Sequence, residues 1–215
     1  MKKLLKKLLV ASVAAESFIF TPPFATENFV STAQAEMSQA EKENLVEQKF
    51  NEGNELFDQG DYQGAIEKYT EVIELNPNDA DAYYNRGVAY DELKQYKRAV
   101  SDYNRAIELN PNDTYSYNNR GYSYFKLKNY DAAFTDFNKV LELDSNNPYG
   151  YGNRGIIYTV WKKYEEALAD LNKSIELNPE EGENYYYRGK CYKALGEKEK
   201  ARADFAKAKE LGYKG

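Results

Sequence analysis

A period of 34 residues runs through most of this chain and limits the folds that it can adopt. The recurring residues include one glycine and one alanine per period: Gly53, Gly87, Gly121, Gly155 and Gly189, and Ala65, Ala99, Ala133, Ala167 and Ala201. Self-similarity at a fixed interval of about 20–50 residues is the signature of repeat arrays, whose units pack only on their neighbours. Five units tile the chain without a gap, at 46–79, 80–113, 114–147, 148–181 and 182–215.

Apolar and small residues inside each unit follow a helical spacing. In the second unit, Tyr83, Gly87 and Tyr90 recur at intervals of three and four residues. A second run of the same kind follows the short turn 93–95, and Pro111 ends that run. The spacing predicts an all-α solenoid of five tandem helix–turn–helix units.

The first 35 residues have the pattern of a secretory signal peptide. Four lysines precede the apolar run 8–15, and a small-x-small site ends at Ala35. Glu16 and two prolines interrupt the apolar residues, whereas a membrane-spanning helix needs roughly 20 in a row. We therefore expect 1–35 to direct export, with no membrane span left after cleavage. An uncleaved cytoplasmic leader is the alternative.

Residues 36–45 are predicted to extend the first helix of the array. Ser38 and Glu41 have the spacing of a capping box, in which each side chain bonds to a backbone N–H of the other residue. The helix of the first unit is therefore expected to begin well before position 46.

The composition argues against several classes of function. The chain has no His, the commonest general base and metal ligand, and its single Cys cannot form an internal disulfide. A net charge of −6 is the opposite of the basic surplus that nucleic-acid-binding proteins use. We expect no catalysis, no cofactor and no nucleic-acid partner. The alternative is an enzyme that uses carboxylates such as Asp81 and Asp91.

The recurring glycine and alanine stand at positions eight and twenty of each unit. Two antiparallel helices approach closely only where no large side chain stands between them. We interpret the two residues as each other's contact, so that a larger side chain at Gly121 would push the helices apart.

With these residues in place, the sequence resembles the tetratricopeptide repeat family. The second unit carries the residues typical of the family at positions 4, 8, 11, 20, 24, 27 and 32, namely Tyr83, Gly87, Tyr90, Ala99, Tyr103, Ala106 and Pro111. Arginine replaces the family's leucine at position seven, Lys49 replaces an aromatic residue, and Ser145 replaces a proline. The resemblance implies a right-handed superhelix whose first helices line a concave groove that binds a protein or peptide.

Two charged columns, at positions seven and twenty-three, predict an ion pair inside each unit. They consist of Arg86, Arg120, Arg154 and Arg188, and of Asp102, Asp136, Asp170 and Asp204. In the first unit the charges are exchanged, as Glu52 and Lys68. Because the charges exchange together, we assign the arginines to the scaffold rather than to an anion-binding stripe. Each pair is expected to contribute about 1 kcal/mol or less if it is exposed.

Three apolar columns become basic in the fifth unit. Positions 17, 21 and 28 are apolar or aromatic in the first four units, and they are Lys198, Arg202 and Lys209 in the fifth. These positions would pack on a following unit, so the change predicts a polar C-terminal cap.

The family's geometry assigns positions two, five, six, nine and twelve of each first helix to the groove. The predicted site consists of Asn51, Asn54, Phe57, Tyr84, Asn85, Val88, Tyr115, Asn118, Asn119, Tyr122, Phe125, Tyr149, Asn153, Ile156, Tyr186, Tyr187 and Lys190. Asparagine can both donate to and accept from the backbone of an extended peptide, and aromatic rings add contact area. The alternative for individual Asn and Tyr residues is a bond between adjacent repeats.

Some members of the family hold a C-terminal carboxylate with two asparagines and three cations. Asn54 and Asn85 match the asparagines, but Phe50, Tyr115 and Asn119 stand where the cations should be. We therefore predict a non-catalytic scaffold or adaptor of the cell envelope that binds an extended peptide. An intracellular co-chaperone or assembly factor is the alternative, and the oligomeric state stays open.

Overall fold

The computed structural model describes residues 37–215, which contain ten α-helices and, within that range, no strand. In chain order the helices are α1 (Gln39–Asp58), α2 (Tyr62–Leu75), α3 (Ala80–Glu92), α4 (Tyr96–Leu109), α5 (Thr114–Lys126), α6 (Tyr130–Leu143), α7 (Pro148–Val160), α8 (Tyr164–Leu177), α9 (Gly182–Ala194) and α10 (Lys198–Glu210). The predicted all-α solenoid of helix pairs is confirmed. The predicted signal segment 1–35 lies outside the described residues.

Two parts of the chain are described separately, residues 37–43 and Asn44–Gly215. In residues 37–43, the predicted capping box is present. The backbone N–H of Ser38 donates to Glu41 Oε2 at 3.0 Å, and the N–H of Glu41 donates to Ser38 Oγ at 3.3 Å. None of the helices formed by residues 37–215 is long and apolar enough to cross a membrane.

Short polar residues set where the first helices of the inner units begin. Asp79 accepts the N–H of Ala82 at 2.9 Å, and Asp113 accepts that of Ser116 at 3.0 Å. Asn147 does the same at the start of α7. These side chains satisfy N–H groups that have no partner inside the helix.

Position fifteen of every unit makes the turn between the two helices with a left-handed backbone. The residues and their φ angles are Gly60 (79°), Lys94 (58°), Lys128 (61°), Lys162 (61°) and Gly196 (84°). Glycine adopts this conformation readily, whereas lysine is strained in it. Three units therefore have the same turn geometry as the other two, although lysine disfavours a left-handed backbone.

The contact that the glycine of position eight makes possible differs from the predicted one. A Cβ atom at Gly121 would lie 2.6 Å from Cε1 of Phe137, at position 24, and not against Ala133. The other four glycines also face the position-24 side chain, namely Tyr69, Tyr103, Leu171 and Phe205. Gly189 meets the predicted partner as well, since a Cβ atom there would lie 3.3 Å from the carbonyl oxygen of Ala201. Because the ring lies along the helix toward its N-terminus, it fills the space beside the glycine. Ala133 instead packs with Ile157 of the next unit.

The predicted ion pairs are confirmed, and the arginines do more than predicted. Arg120 Nε and Nη2 donate to the two carboxylate oxygens of Asp136 at 2.8 and 2.6 Å. Its Nη1 donates to Asn104 of the preceding unit at 2.8 Å. Arg86, Arg154 and Arg188 repeat both contacts. Each arginine therefore joins both helices of its own unit to the second helix of the unit before it.

The exchanged pair of the first unit is also present, in a looser form. Lys68 Nζ lies 3.4 Å from Glu52 Oε2 and 3.0 Å from Glu71 Oε1. Lys49 contacts the same two glutamates. This cluster is more exposed to solvent than the arginine pairs, since the Lys68 and Glu52 side chains are 26% and 34% exposed.

Candidate interaction groove

Five of the predicted groove residues line one cleft between the first two units. Asn54 and Phe57 come from α1, and Tyr84, Asn85 and Val88 come from α3. The cleft has a volume of about 390 Å³, and Asp58 and Tyr69 complete its wall. It combines apolar surface with amide and carboxylate groups.

The tyrosine at position 24 fixes one amide of this cleft. Tyr69 is buried, and its hydroxyl donates to Asn54 Oδ1 at 2.8 Å. The Asn54 amide is therefore oriented with its NH₂ group available as a donor. Asn85, on the neighbouring helix, offers a second amide to the same cleft.

Three other predicted asparagines bond to one another across units. Asn153 Nδ2 donates to Asn118 Oδ1 at 2.9 Å, and Asn118 Nδ2 donates to Asn119 Oδ1 at 3.3 Å. Asn119 Nδ2 then donates to the hydroxyl of Tyr84 at 3.1 Å. This chain links units two, three and four, so these amides have the inter-repeat role that the sequence left open. Asn51, by contrast, is exposed.

A second, narrow cleft lies farther along the array. Its lining includes Tyr122, Phe125, Asn153 and Ile156, all predicted, together with Phe137 and Glu183. Ile156 is only 5% exposed, so it forms the floor of the cleft. Three predicted tyrosines are the most open aromatic residues of this region, with Tyr115 69%, Tyr149 52% and Tyr122 39% exposed.

Glu183 is a residue of this cleft that the sequence prediction missed. It accepts a hydrogen bond from the Tyr213 hydroxyl at 3.1 Å, and burial raises its pKa above the usual value. Its position, the second of the fifth unit, is the same as that of Tyr115 and Tyr149. The positional rule that selected those tyrosines could therefore have found it.

Two lysines of the groove lie over tyrosine rings. Lys126 Nζ is 4.8 Å from the ring centre of Tyr122, and Lys190 Nζ is 4.8 Å from that of Tyr187. Such contacts hold the ammonium group in place without neutralising it. Tyr186 also contacts Lys190, but it lines a different cleft, of about 610 Å³, with Phe205 and the residues after α10.

Asp91 is a buried carboxylate between units two and three. It accepts hydrogen bonds from the hydroxyls of Tyr103, at 2.8 Å, and Ser123, at 2.5 Å. Burial raises its pKa to about 6, although both hydrogen bonds act in the opposite direction. Residues 37–215 contain no group of three or more Cys, Asp or Glu that could hold a metal ion. Its two hydrogen bonds join Asp91 to Tyr103 of its own unit and to Ser123 of the following unit.

Three models of protein families match the chain. A model described as TPR repeat matches residues 53–94, and one described as tetratricopeptide repeat matches 80–113, 114–147 and 148–181. A further tetratricopeptide repeat model matches 171–203. Together these matches extend over well more than half of the chain.

Two named relatives are similar in sequence to single segments of the array. Hsp70-Hsp90 organizing protein 1 of Glycine max is 41% identical over 68 residues, which are 31% of this chain and 12% of that protein. Sperm-associated antigen 1A of Danio rerio is 38% identical over 66 residues, which are 29% of this chain and 16% of that protein. The chain thus matches less than a fifth of the length of these relatives.

Solved structures share the fold of the whole array. The structure of MamA 41-end from Desulfovibrio magneticus RS-1 superposes with a TM-score of 0.70 at 23% identity, covering 78% of this chain and 94% of that one. YrrB, described as a TPR protein with an unusual peptide-binding site, superposes with a TM-score of 0.62 at 23% identity, covering 77% and 86%. Identity at this level concerns the fold.

Proposed function

The chain belongs to the tetratricopeptide repeat family, and on that premise we propose that it is a non-catalytic scaffold that binds an extended segment of a partner protein. The observation that carries the proposal is the cleft between α1 and α3. It brings Asn54 and Phe57 of one unit together with Tyr84, Asn85 and Val88 of the next, which are more than 25 residues away in sequence.

The chemistry of this surface suits a peptide backbone better than a single charged group. The Asn54 amide, oriented by Tyr69, and the Asn85 amide lie on adjacent helices, so both can pair with one extended segment. The exposed rings of Tyr115 and Tyr149 continue the surface along the next two units. Aromatic rings and amides provide contact area and hydrogen bonds at a modest cost in side-chain entropy.

A groove variant and a matched control test the proposed site. We would replace Asn85, Tyr115 and Tyr149 by Ala in the full chain, and leave Asn119 and Asn153 unchanged because they bond within the fold. The control replaces three exposed, uncharged residues of the second helices by Ala, namely Gln63, Ser101 and Thr135. Affinity capture from envelope and cytoplasmic extracts should lose its specific partners with the groove variant and keep them with the control. Equal capture by both variants, with equal helical circular dichroism, would show that the partner binds elsewhere.

We further propose that the chain acts in the cell envelope after export. The support is the lysine-rich start, the apolar run and the small-x-small site ending at Ala35. N-terminal sequencing of the chain from fractionated cells tests this directly. We expect a mature form that begins at Glu36 outside the cytoplasm. A chain that retains residues 1–35 in the cytoplasm would overturn the proposal.

The second candidate is an intracellular co-chaperone, which the similarity to Hsp70-Hsp90 organizing proteins favours. A groove that recognises the carboxylate at the end of a partner would need cations around it. Phe50, Tyr115 and Asn119 occupy the corresponding positions here. The two candidates differ in one binding measurement, in which a captured peptide is compared with a free and an amidated C-terminus. A scaffold for internal segments binds both forms equally, whereas a carboxylate-binding co-chaperone prefers the free one.

A further inference from the structure

The first and last units of the array carry opposite charge. Residues 46–79 contain nine Asp and Glu and two Lys, a net charge of −7. Residues 182–215 contain nine Lys and Arg and five Asp and Glu, a net charge of +4. The three units between them carry −1, 0 and −2. The array is therefore strongly polarised from one end to the other, and solubility alone does not require this polarity.

The joints between consecutive units define which positions meet. Phe134, at position 21, packs on Tyr158 and Trp161 of the following unit, with ring centres 5.3 and 4.9 Å apart. Ile157, at position ten of that unit, is fully buried against Ala133 at position twenty. Position ten of one unit therefore lies beside positions twenty and twenty-one of the unit before it.

At the two ends of the array these positions are charged and exposed. Position 21 of the fifth unit is Arg202, whose side chain is 80% exposed, and Lys198 and Lys209 are exposed on the same helix. Position ten of the first unit is Glu55, which is exposed, and Gln48 lies two turns before it on the same helix. The exposed face of α10 is basic, with Glu199 beside Arg202 at 3.6 Å. The face of α1 that would match it in register carries one carboxylate, Glu55, in a unit of net charge −7.

We propose that copies of this chain associate head to tail, with α10 of one copy against α1 of the next, in the register that joins consecutive units. Glu55 of one copy then lies next to Lys198 and Arg202 of the other. Because both faces are polar, the interface between copies is not a permanent apolar one. The association is electrostatic, reversible and weakened by salt. It leaves the first-helix cleft open and does not depend on what that cleft binds.

A charge exchange between the two faces tests the proposal in the full chain. One variant carries Gln48→Lys and Glu55→Lys, which makes both faces basic. The other carries Lys198→Glu and Arg202→Glu, which makes both faces acidic. Lys97→Glu with Lys128→Glu, at exposed sites in units two and three, is the control because it changes the net charge as much as the acidic variant does.

Sedimentation velocity gives the outcome. At about 50 mM salt the wild type and the control should self-associate as their concentration rises. At about 500 mM salt the dissociation constant of this association should be at least about tenfold higher. Each face variant alone should stay monomeric, and an equimolar mixture of the two should associate again. A monomeric wild type, or self-association of the face variants at the wild-type level, overturns the proposal. A monomeric wild type that binds phosphatidylglycerol vesicles would assign the basic face to an anionic surface instead.

Discussion

The arginine at position seven shows how one side chain can join three helices. The planar guanidinium of Arg120 uses two donors for Asp136 and a third for Asn104 of the preceding unit. Burial works against the charged arginine, but the hydrogen bonds and charge of Asp136 outweigh it and raise the pKa of Arg120. Lysine could not reproduce these contacts, since it has no planar fork of donors.

The arginine–aspartate pairs are buried, so removal of one partner is expected to lower the free energy of unfolding more than it would at an exposed pair. Asp136 is only 3% exposed, so removal of Arg120 leaves a buried charge without its partner. We expect Arg120→Ala to lower the free energy of unfolding by about 3 kcal/mol. Lys68→Ala, at the exposed pair of the first unit, is the matched comparison and should lower it by about 1 kcal/mol or less. Urea unfolding measures both, and equal small losses would contradict the buried-pair interpretation.

The left-handed turn of position fifteen allows a stabilising substitution. Lys128 has a φ of 61°, and its equivalent in the first unit is Gly60. We expect Lys128→Gly to raise the free energy of unfolding by about 0.5–1 kcal/mol, because glycine adopts this conformation without strain. Gly60→Lys should produce a loss of similar size, since nothing lies within 4 Å of a Cβ atom placed there. No change in either unfolding midpoint would show that the turn carries little strain.

At the scale of helices, periodicity predicted the elements but not how side chains lie between them. The spacing of Tyr83, Gly87 and Tyr90 was enough to place a helix. In the third unit, the same kind of spacing did not indicate that Gly121 faces Phe137 at position 24 instead of Ala133, because spacing gives the face of a helix and not the direction of a side chain. The third hydrogen bond of Arg120 was not predicted either. Its acceptor, Asn104, is uncharged, so no column of opposite charge marks it in the sequence.

The close contact at Gly121 makes the helix pair sensitive to added volume. A Cβ atom there would lie 2.6 Å from the ring of Phe137, which is itself buried. We expect Gly121→Leu to lower the free energy of unfolding by roughly 2–4 kcal/mol through overpacking. Ala203→Leu, on the exposed side of α10, adds the same side chain and should change it by less than about 0.5 kcal/mol. Equal unfolding curves for the two variants would contradict this packing.

Across the whole molecule, the sequence predicted which positions face the groove better than it predicted which residues are available to a partner. The same positional rule selected Asn85, which lines an open cleft, and Asn153, which bonds to Asn118. Both are asparagines at position six of their units. Their difference arises from the neighbouring unit, where position five is Asn118 before Asn153 and Phe50 before Asn85. The residues at one position of successive units carry no information about which residue of the preceding unit lies beside each of them.

The joint between units two and three links the stability of the array to pH. The pKa of Asp91 is about 6 in the folded chain, above its usual value of 3.8, and burial is the main cause. The folded state therefore holds this proton more tightly than the unfolded state does between about pH 4 and 6, and the contribution of Asp91 to stability falls as the pH rises through that window. Above it, the buried charge is fully present.

Asp91→Asn isolates this effect, because an amide can accept from Tyr103 and donate to Ser123. At pH 7 we expect the variant to be more stable than the wild type by about 1–2 kcal/mol, less than the full pKa difference implies because Asp91 is partly exposed to solvent. The advantage should shrink strongly by pH 4, where the folded carboxyl is protonated and the unfolded one is close to its usual pKa of 3.8. Urea unfolding of both proteins at pH 4, 5.5 and 7 measures the difference while the other titrating groups cancel. A constant difference across these three pH values would show that Asp91 is charged in the folded array throughout, and that its two hydroxyl partners offset its burial.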